Sequence, residues 1–335
     1  MTKHLTYSFL VLAGIAGLSA MAAESGSPLN PAELRTKAKA FVAALPDKMP
    51  GSEKDTPAMV SLGEKLYFEK RLSMNGEMSC NTCHMVDQNR AGVDNEATSL
   101  GVHGKRGDRN SPTTLNAGFH FAQFWDGRAK TLEEQAKGPV LNPVEMAMPD
   151  ETEVIKRLSS DKAYPGLFKA AFPGEANPIS YDNFGRAVAA FERTLITHDR
   201  FDDFLKGDDK ALNAVELRGL NLFLTTGCTT CHTGPLIGGN MYQKIGILNP
   251  YPNAKDRGRI QVTNEEWDEF RFKVPALRNV ALTFPYFHDG QAESLRSAIK
   301  QMAHLQLNQQ LKDEDVAAFE SFLISLSDKT RKASK

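Results

Sequence analysis

Two short motifs of cysteine and histidine constrain this chain more than any other feature. Residues 80–84 read C-N-T-C-H and residues 228–232 read C-T-T-C-H, and together they contain all four cysteines of the chain. The spacing C-x-x-C-H is the attachment signature of a c-type haem, whose porphyrin is bound by both thiols while the histidine ligates the iron. We therefore predict two covalent haem c groups, held by Cys80, Cys83, Cys228 and Cys231, with His84 and His232 as iron ligands.

Other uses of four cysteines explain the pattern less well. Two disulfides are the usual expectation for four cysteines in an exported chain, but they do not explain the histidine that follows each pair. A zinc site built from four thiolates does not need those histidines either. A thioredoxin-like centre needs a single C-x-x-C pair in a βαβ context. The di-haem interpretation accounts for both pairs and both histidines.

The first 22 residues have the pattern of a cleaved signal peptide. Lys3 precedes a short apolar run, and residues 20–22 (A-M-A) suit a cleavage site. This run is too short to span a bilayer, and no later apolar run reaches about 18 residues. We expect export to a bacterial periplasm and no membrane anchor. The 40 basic and 41 acidic residues form no block, so nothing indicates a nucleic-acid partner.

The two motifs lie in an internal repeat. Residues 63–67 (GEKLY) precede the first motif and residues 219–223 (GLNLF) precede the second, and both segments are typical of the end of an amphipathic helix. Apolar residues recur at helical spacing from 184 to 195 and from 316 to 326, and the latter segment follows three acidic residues suited to a helix N-terminus. Alternation typical of strands is scarce, so the predicted fold class is all-α.

This repeat predicts two cytochrome c-like domains. A length of 335 residues agrees with two domains at about 150 residues each. We place the signal peptide at 1–22, the N-terminal haem domain at 23–197 and the C-terminal haem domain at 198–335. The charged stretch 198–210, which contains a glycine, has the composition of a linker.

The sixth ligand of each iron decides between electron transfer and catalysis. A methionine raises the potential and suits electron transfer, whereas an open or displaceable position suits catalysis. Composition alone does not choose among the methionines, nor does it rank the remaining histidines, His103, His120, His198, His288 and His304.

Three parts of the chain resemble the bacterial di-haem cytochrome c peroxidases. They are residues 115–146 (LNAGFHFAQFWDGRAKTLEEQAKGPVLNPVEM), residues 270–290 (FRFKVPALRNVALTFPYFHDG) and the surroundings of both C-x-x-C-H motifs. The similarity extends from about residue 62 to the C-terminal helix. The wider family includes MauG-type enzymes, which oxidise a partner protein.

The resemblance implies different iron ligands at the two haems. The N-terminal, peroxidatic haem would have His84 as proximal ligand and His103 as displaceable ligand. The C-terminal haem, where electrons arrive, would have His232 and Met302. A methionine at 302 favours the peroxidases, because MauG-type enzymes have tyrosine there. Without the resemblance, Met302 is equally explained as core packing at helical spacing, and His103 as a solvated loop residue.

The resemblance also implies catalytic residues. Glu145 would be the acid–base group of peroxide cleavage, Gln135 a pocket amide that orients peroxide or water, and Trp125 an electron conduit between the haems. From spacing alone, Glu145 is a helix-start residue on the surface and Trp125 a core aromatic.

Further expectations from the resemblance concern a metal ion, the haem propionates and partners. Asn110, Thr283 and Pro285 match positions that supply oxygen ligands to calcium between the domains, and His288 matches a position near the propionates. The implied reaction reduces hydrogen peroxide to water with electrons from a small cytochrome c or a cupredoxin, in a homodimer activated by reduction. A MauG-like oxidase and a non-catalytic di-haem electron carrier remain as alternatives.

Overall fold

The computed structural model describes residues 29–335 of the chain. The predicted signal peptide, residues 1–22, lies outside the described residues. Within residues 29–335, no helix combines the length and the apolar character that crossing a bilayer requires.

Helices dominate the structure, with one small sheet. The helices are α1 (Pro31–Ala38), α2 (Pro57–Tyr67), α3 (Cys80–Cys83), α4 (Leu132–Leu141), α5 (Glu151–Ser160), α6 (Tyr164–Ala171), α7 (Tyr181–Glu192), α8 (Arg200–Lys206), α9 (Ala214–Thr225), α10 (Ile260–Thr263), α11 (Leu295–Leu307) and α12 (Asp313–Ser325). The strands β1 (Tyr242–Lys244) and β2 (Arg271–Lys273) pair antiparallel, with Tyr242 opposite Lys273. The predicted all-α class is confirmed in that the described residues are mostly helical, and the short sheet is the departure from it.

The first hydrophobic core forms where α2 crosses α7. Helix α2 begins after Thr56, whose side chain accepts a hydrogen bond from the Met59 backbone N–H. A Cβ on Gly63 would lie 1.8 Å from the carbonyl oxygen of Ala187, so this close crossing requires glycine. The apolar face predicted from residue 184 onward lies on α7 and is buried in this core.

The second core repeats the arrangement with α9 and α12. A Cβ on Gly219 would lie 2.0 Å from the carbonyl oxygen of Ala318. Gly63 and Gly219 occupy the same place in the sequence repeat. The repeat therefore corresponds to the same close helix–helix crossing in both cores. Helix α12 begins at Asp313, as predicted, and its apolar face is buried.

The interpretation of residues 198–210 as a linker is wrong. They include α8, whose Phe201 and Phe204 are fully buried in the second core. These aromatic residues lie three positions apart on one helix face, and the charged residues that suggested a linker mostly occupy the remaining positions.

The helix α1 packs with the second core rather than the first. The first core is built from residues 59–195, and the second from residues 34–42 together with 201–326. The division into domains at residue 197 stays a prediction.

Candidate functional site

A cavity of about 780 Å³ lies beside the first C-x-x-C-H motif. The motif folds as the single turn α3, in which the Ser79 backbone N–H donates to Thr82 Oγ1 at 3.0 Å. The His84 backbone N–H donates to the Cys80 carbonyl oxygen at 2.9 Å. The turn brings Cys80, Cys83 and His84 together on the cavity wall.

The ring of His84 is held through one nitrogen and leaves the other for a metal. Its Nδ1–H donates to the carbonyl oxygen of Pro112 at 3.0 Å, the backbone contact that commonly orients a metal-binding histidine. Burial lowers the pKa of His84, so the ring is neutral and Nε2 keeps its lone pair.

Glu145 and Gln135 line the same cavity as His84. Gln135 lies on α4 and Glu145 in the turn that follows it, where Asn142 Nδ2 donates to Glu145 Oε1 at 2.7 Å. Burial raises the pKa of Glu145, and the positive charge of Arg128 opposes this. A carboxyl with a raised pKa on a cavity wall suits proton transfer. The surface position that spacing alone suggests for Glu145 is not observed.

A second cavity, of about 360 Å³, lies beside the second motif. Residues Cys228–Thr230 form a 3-10 turn, and the His232 Nδ1–H donates to the carbonyl oxygen of Ile237 at 3.1 Å. Burial lowers the pKa of His232 as it does in the first site. Met302, on α11, lines this cavity. The two sites share one way of holding the histidine but differ in the groups around it.

Trp125 lines both cavities. Its Nε1–H donates to the carbonyl oxygen of Asn110 at 2.8 Å, and its ring meets the ring of His288 edge-on with 6.4 Å between centroids. The side chain therefore stands between the two candidate haem sites.

The residues of both cavities fit a covalently attached haem. The two cysteine pairs line different cavities, so the four thiols do not assemble a zinc site. Burial raises the pKa of each thiol, the opposite of what a reactive thiolate needs. His288 Nε2, from the wall of the smaller cavity, is buried with no hydrogen-bond partner among residues 29–335. Such an orphaned nitrogen is expected where a cofactor supplies the partner.

The structure does not bring His103 to either cavity. His103 is exposed in the loop between Leu100 and Arg106, which are joined by a β-bridge. The loop rests on the segment of Glu145, since the Val102 backbone N–H donates to the Glu145 carbonyl oxygen at 2.9 Å. The role of His103 as an iron ligand stays a prediction.

Asn110, Thr283 and Pro285 all line the smaller cavity. Asn110 Oδ1 and the carbonyl oxygens of Thr283 and Pro285 accept no hydrogen bond from the described residues. Such oxygens are hard ligands of the kind that Ca²⁺ takes. In the same part of the chain, no group of three or more His, Cys, Asp or Glu side chains is placed to hold a metal ion. A calcium site would thus depend on amide and carbonyl oxygens.

The sequence analysis did not predict a buried ionic network. Arg109 contacts Asp126 at 2.5 Å and Asp256 at 2.6 Å, and all three residues line the larger cavity. It also missed Lys273, and it named His120 only among the histidines that composition cannot rank; both residues line the smaller cavity.

A further sequence repeat could have drawn attention to this region. Residues 124–129 read F-W-D-G-R-A and residues 287–292 read F-H-D-G-Q-A. Both form tight turns closed by matching β-bridges. The repeat places Trp125 and His288, whose rings meet between the cavities, at equivalent positions.

The mostly helical fold and a cavity beside each C-x-x-C-H motif suit a protein of the di-haem c class. The sequence model of the family described as di-haem cytochrome c peroxidase matches residues 57–210. Over 274 residues, the chain is 47% identical to the cytochrome c551 peroxidase of Pseudomonas aeruginosa, covering 80% of this chain and 78% of that protein. Over 294 residues, it is 33% identical to the methylamine utilization protein MauG of Methylophilus methylotrophus, covering 84% of each.

A solved structure is similar over most of the chain. The crystal structure of a MauG-like protein associated with microbial copper homeostasis superposes with a TM-score of 0.75 at 28% identity, covering 85% of this chain and 94% of that one. The chain therefore belongs to the di-haem cytochrome c peroxidase family. The predicted resemblance is confirmed, and so is the prediction of an oxidoreductase of the cytochrome c peroxidase class.

Proposed function

We propose that this protein is a periplasmic peroxidase that reduces hydrogen peroxide to water with electrons from a small cytochrome c or a cupredoxin. The observation that carries the proposal is the difference between the cavities. Glu145, a carboxyl group with a raised pKa, lines the cavity of His84, whereas Met302 lines that of His232. The reaction consumes one peroxide, two electrons and two protons and yields two waters. The 47% identity to a cytochrome c551 peroxidase supports this reaction.

The two C-x-x-C-H motifs would hold the two haem c groups. His84 would ligate the peroxidatic haem, and His232 and Met302 the electron-transfer haem. When bound, these groups supply redox-active iron, with one site for peroxide and one store for an electron equivalent. The proposal includes two haem domains that meet near residue 197, with α1 packed on the second core.

Glu145 is the residue that moves protons. Cleavage of the O–O bond needs a base that takes a proton from one peroxide oxygen and delivers it to the other, which leaves as water. The hydrogen bond from Asn142 fixes the Glu145 carboxyl for this transfer. Gln135 contributes an amide that orients peroxide or water in the same cavity.

Trp125 would carry electrons from the smaller cavity to the larger one. A small redox donor gives one electron at a time, whereas the reduction of peroxide takes two. A second centre that stores one electron allows both electrons to be available when peroxide reacts. The position of Trp125 on the walls of both cavities supports this path.

Reductive activation would depend on the loop that carries His103. The hydrogen bond from Val102 to the Glu145 carbonyl gives the loop one defined position, with His103 outside. A second position, with His103 inside the larger cavity, would complete a two-state element. Calcium held by Asn110, Thr283 and Pro285, and assembly as a homodimer, belong to the same proposal.

Oxidation of a partner protein, as in MauG-type enzymes, is the second candidate, and the 33% identity to MauG favours it. The methionine at position 302 favours the peroxidase, because the resemblance places a tyrosine there in the MauG type. An assay that replaces the reduced donor with candidate substrates separates the two functions.

A peroxide assay of the mature holoprotein tests the proposal. The haem content is measured first, and two covalent haems per chain are expected. Hydrogen peroxide is then supplied with a reduced cytochrome c, with and without prior reduction of the enzyme. We expect donor oxidation at two electrons per peroxide, with faster turnover after pre-reduction. A protein with two haems that consumes no peroxide in either state contradicts the proposed peroxidase.

A further inference from the structure

Lys273 and His120 form a buried pair on the wall of the smaller cavity. Lys273 ends β2 and has 6% of its surface exposed. Its Nζ lies 3.1 Å from His120 Nδ1. An ammonium group removed from water is strongly destabilised unless a negative charge compensates it. The pair is therefore a place where an anion is expected.

Within residues 29–335, no carboxylate lies within hydrogen-bonding distance of Lys273 Nζ. The carboxylate that acts on Lys273 through its charge belongs to Asp126. Its Oδ2 accepts hydrogen bonds from Arg109 at 2.5 Å and from Arg128 at 3.0 Å. In the described part of the chain, the hydrogen bond from the Lys273 side chain goes to His120 alone. The ammonium group thus lacks a carboxylate partner.

The backbone holds the pair in a fixed place. The Lys273 backbone N–H donates to the Trp125 carbonyl oxygen at 2.7 Å, which fixes β2 beside the residue between the cavities. On the other side, the Phe121 backbone N–H donates to the Gly239 carbonyl oxygen at 3.2 Å. A Cβ on Gly239 would lie 2.7 Å from His120 Nδ1, so the absence of a side chain there makes room for the ring. The two side chains are preorganised rather than free to turn to solvent.

The hydrogen-bonding capacity of the pair matches a carboxylate. Because His120 Nδ1 accepts from Lys273, the ring carries its proton on Nε2 and remains a donor there. The ammonium group keeps two further N–H donors. Burial lowers the pKa of Lys273 to about 7, the direction expected for a cation whose partner is missing.

We propose that Lys273 and His120 form a carboxylate-binding subsite of the smaller cavity, and that its ligand is a propionate of the haem held there. This inference rests on the proposed function, because it requires a haem on the motif at residues 228–232. The same wall carries His288 Nε2, which has no hydrogen-bond partner among residues 29–335, so the cavity offers unsatisfied hydrogen-bonding groups on more than one element. The subsite would orient the haem, and its positive charge would favour the reduced form and raise the potential.

Lys273→Met in the mature holoprotein tests the subsite. This variant keeps the apolar stem and removes the charge. Lys273→Arg restores a cation, and His120→Gln perturbs the pair from the other side. Lys244→Met, an exposed lysine on the neighbouring strand β1, is the matched control. The readouts are haem content, the propionate bending mode in resonance Raman spectra, and the midpoint potential of each haem.

We expect Lys273→Met to shift the propionate mode and to lower the potential of the Met-ligated haem, while the other haem changes less. Lys273→Arg should recover part of both signals, His120→Gln should shift the mode by a smaller amount, and Lys244→Met should match the unmodified protein. Loss of packing alone does not move a propionate mode selectively. If Lys273→Met fails to fold, the Arg and Gln variants decide the question through the same spectra.

Two outcomes separate this inference from the proposed function. Fewer than two covalent haems in the unmodified protein contradicts the proposed function itself. Two haems with propionate modes and potentials that are unchanged by every variant of the pair overturns the subsite and leaves the peroxidase proposal intact.

Discussion

The two candidate haem sites hold their histidines in the same way and differ in the rest of their walls. In both, the ring Nδ1–H donates to a backbone carbonyl oxygen, that of Pro112 at 3.0 Å for His84 and that of Ile237 at 3.1 Å for His232. The larger cavity then adds a carboxyl, an amide and a guanidinium group from Glu145, Gln135 and Arg128. The smaller cavity adds mainly apolar side chains and Met302.

In the proposed function, this difference separates a site that handles protons from a site that handles only electrons. Peroxide reduction moves protons between oxygens, which requires an acid–base group such as the Glu145 carboxyl. Among residues 29–335, no Asp or Glu side chain lines the smaller cavity. Electron storage requires no proton transfer and is favoured by an apolar wall and a methionine ligand. Variants that change one wall without the other therefore test whether the two sites have different roles.

The largest effect is expected from Glu145→Gln. The amide keeps the size of the side chain and can still receive the hydrogen bond of Asn142, but it cannot take a proton. We expect kcat for peroxide to fall about 100- to 10,000-fold, the usual contribution of a general acid–base group. Stopped-flow assays with excess reduced donor measure this loss.

Two measurements serve as controls for the effect of Glu145→Gln. The optical spectra and potentials of both haems should remain those of the unmodified protein, because Glu145 is not expected to ligate iron. Glu151→Gln, an exposed carboxyl at the start of α5, should leave kcat unchanged. Full activity in Glu145→Gln would mean that another group transfers the proton.

The sequence predicted the parts of the molecule that depend on local pattern. The C-x-x-C-H spacing located both histidines, and helical periodicity located α7 and α12. The glycines at 63 and 219 marked a repeat whose physical basis is a pair of close helix crossings. The family resemblance placed Glu145, Gln135 and Met302, which line the two cavities as expected.

The sequence did not predict the side chains whose positions depend on contacts between distant parts of the chain. Lys273 and His120 are 153 positions apart in the chain, and each resembles an ordinary surface residue in its own segment. The prediction of a linker at residues 198–210 was wrong because charged residues dominate the composition of this segment. The composition therefore gave no sign of the buried face formed by Phe201 and Phe204. In both cases the deciding contact comes from elsewhere in the chain.

An intermediate effect is expected from Met302→Leu, which acts on the smaller cavity. Leucine keeps the apolar volume but removes the sulfur, so the potential of that haem should fall. A loss of about 1.4 kcal/mol in driving force would lower the equilibrium constant for reduction of this haem by the donor about tenfold, so donor-driven turnover should fall by up to about that factor. Redox titration and steady-state assays with reduced cytochrome c measure the two changes.

The control for this variant is Met74→Leu, since Met74 is exposed. Turnover of the fully reduced Met302→Leu enzyme in a single cycle should stay close to normal, because the wall of the larger cavity is unchanged. An unaltered potential would show that Met302 is a packing residue and not a ligand.

The smallest effect is expected from Arg128→Met, which changes the charge near Glu145 without touching the carboxyl. Burial raises the pKa of Glu145, and Arg128 lowers it. The base form exists above this pKa, so the acid limb of kcat/KM should lie above the usual pH for a glutamate. Removal of the guanidinium raises the pKa further and moves that limb to higher pH.

Because the Arg128 side chain is 42% exposed, solvent screens its charge. An interaction of about 0.2–1 kcal/mol corresponds to a displacement of less than about one pH unit. The variant should lose activity on the acid side of the profile and match the unmodified protein at higher pH, and Arg128→Lys should restore much of the original profile. Two results would contradict this: an acid limb of kcat/KM that moves to lower pH, or an equal loss of activity at every pH. Either would mean that Arg128 acts on peroxide, or through its contact with the Phe124 ring, and not on the pKa of Glu145.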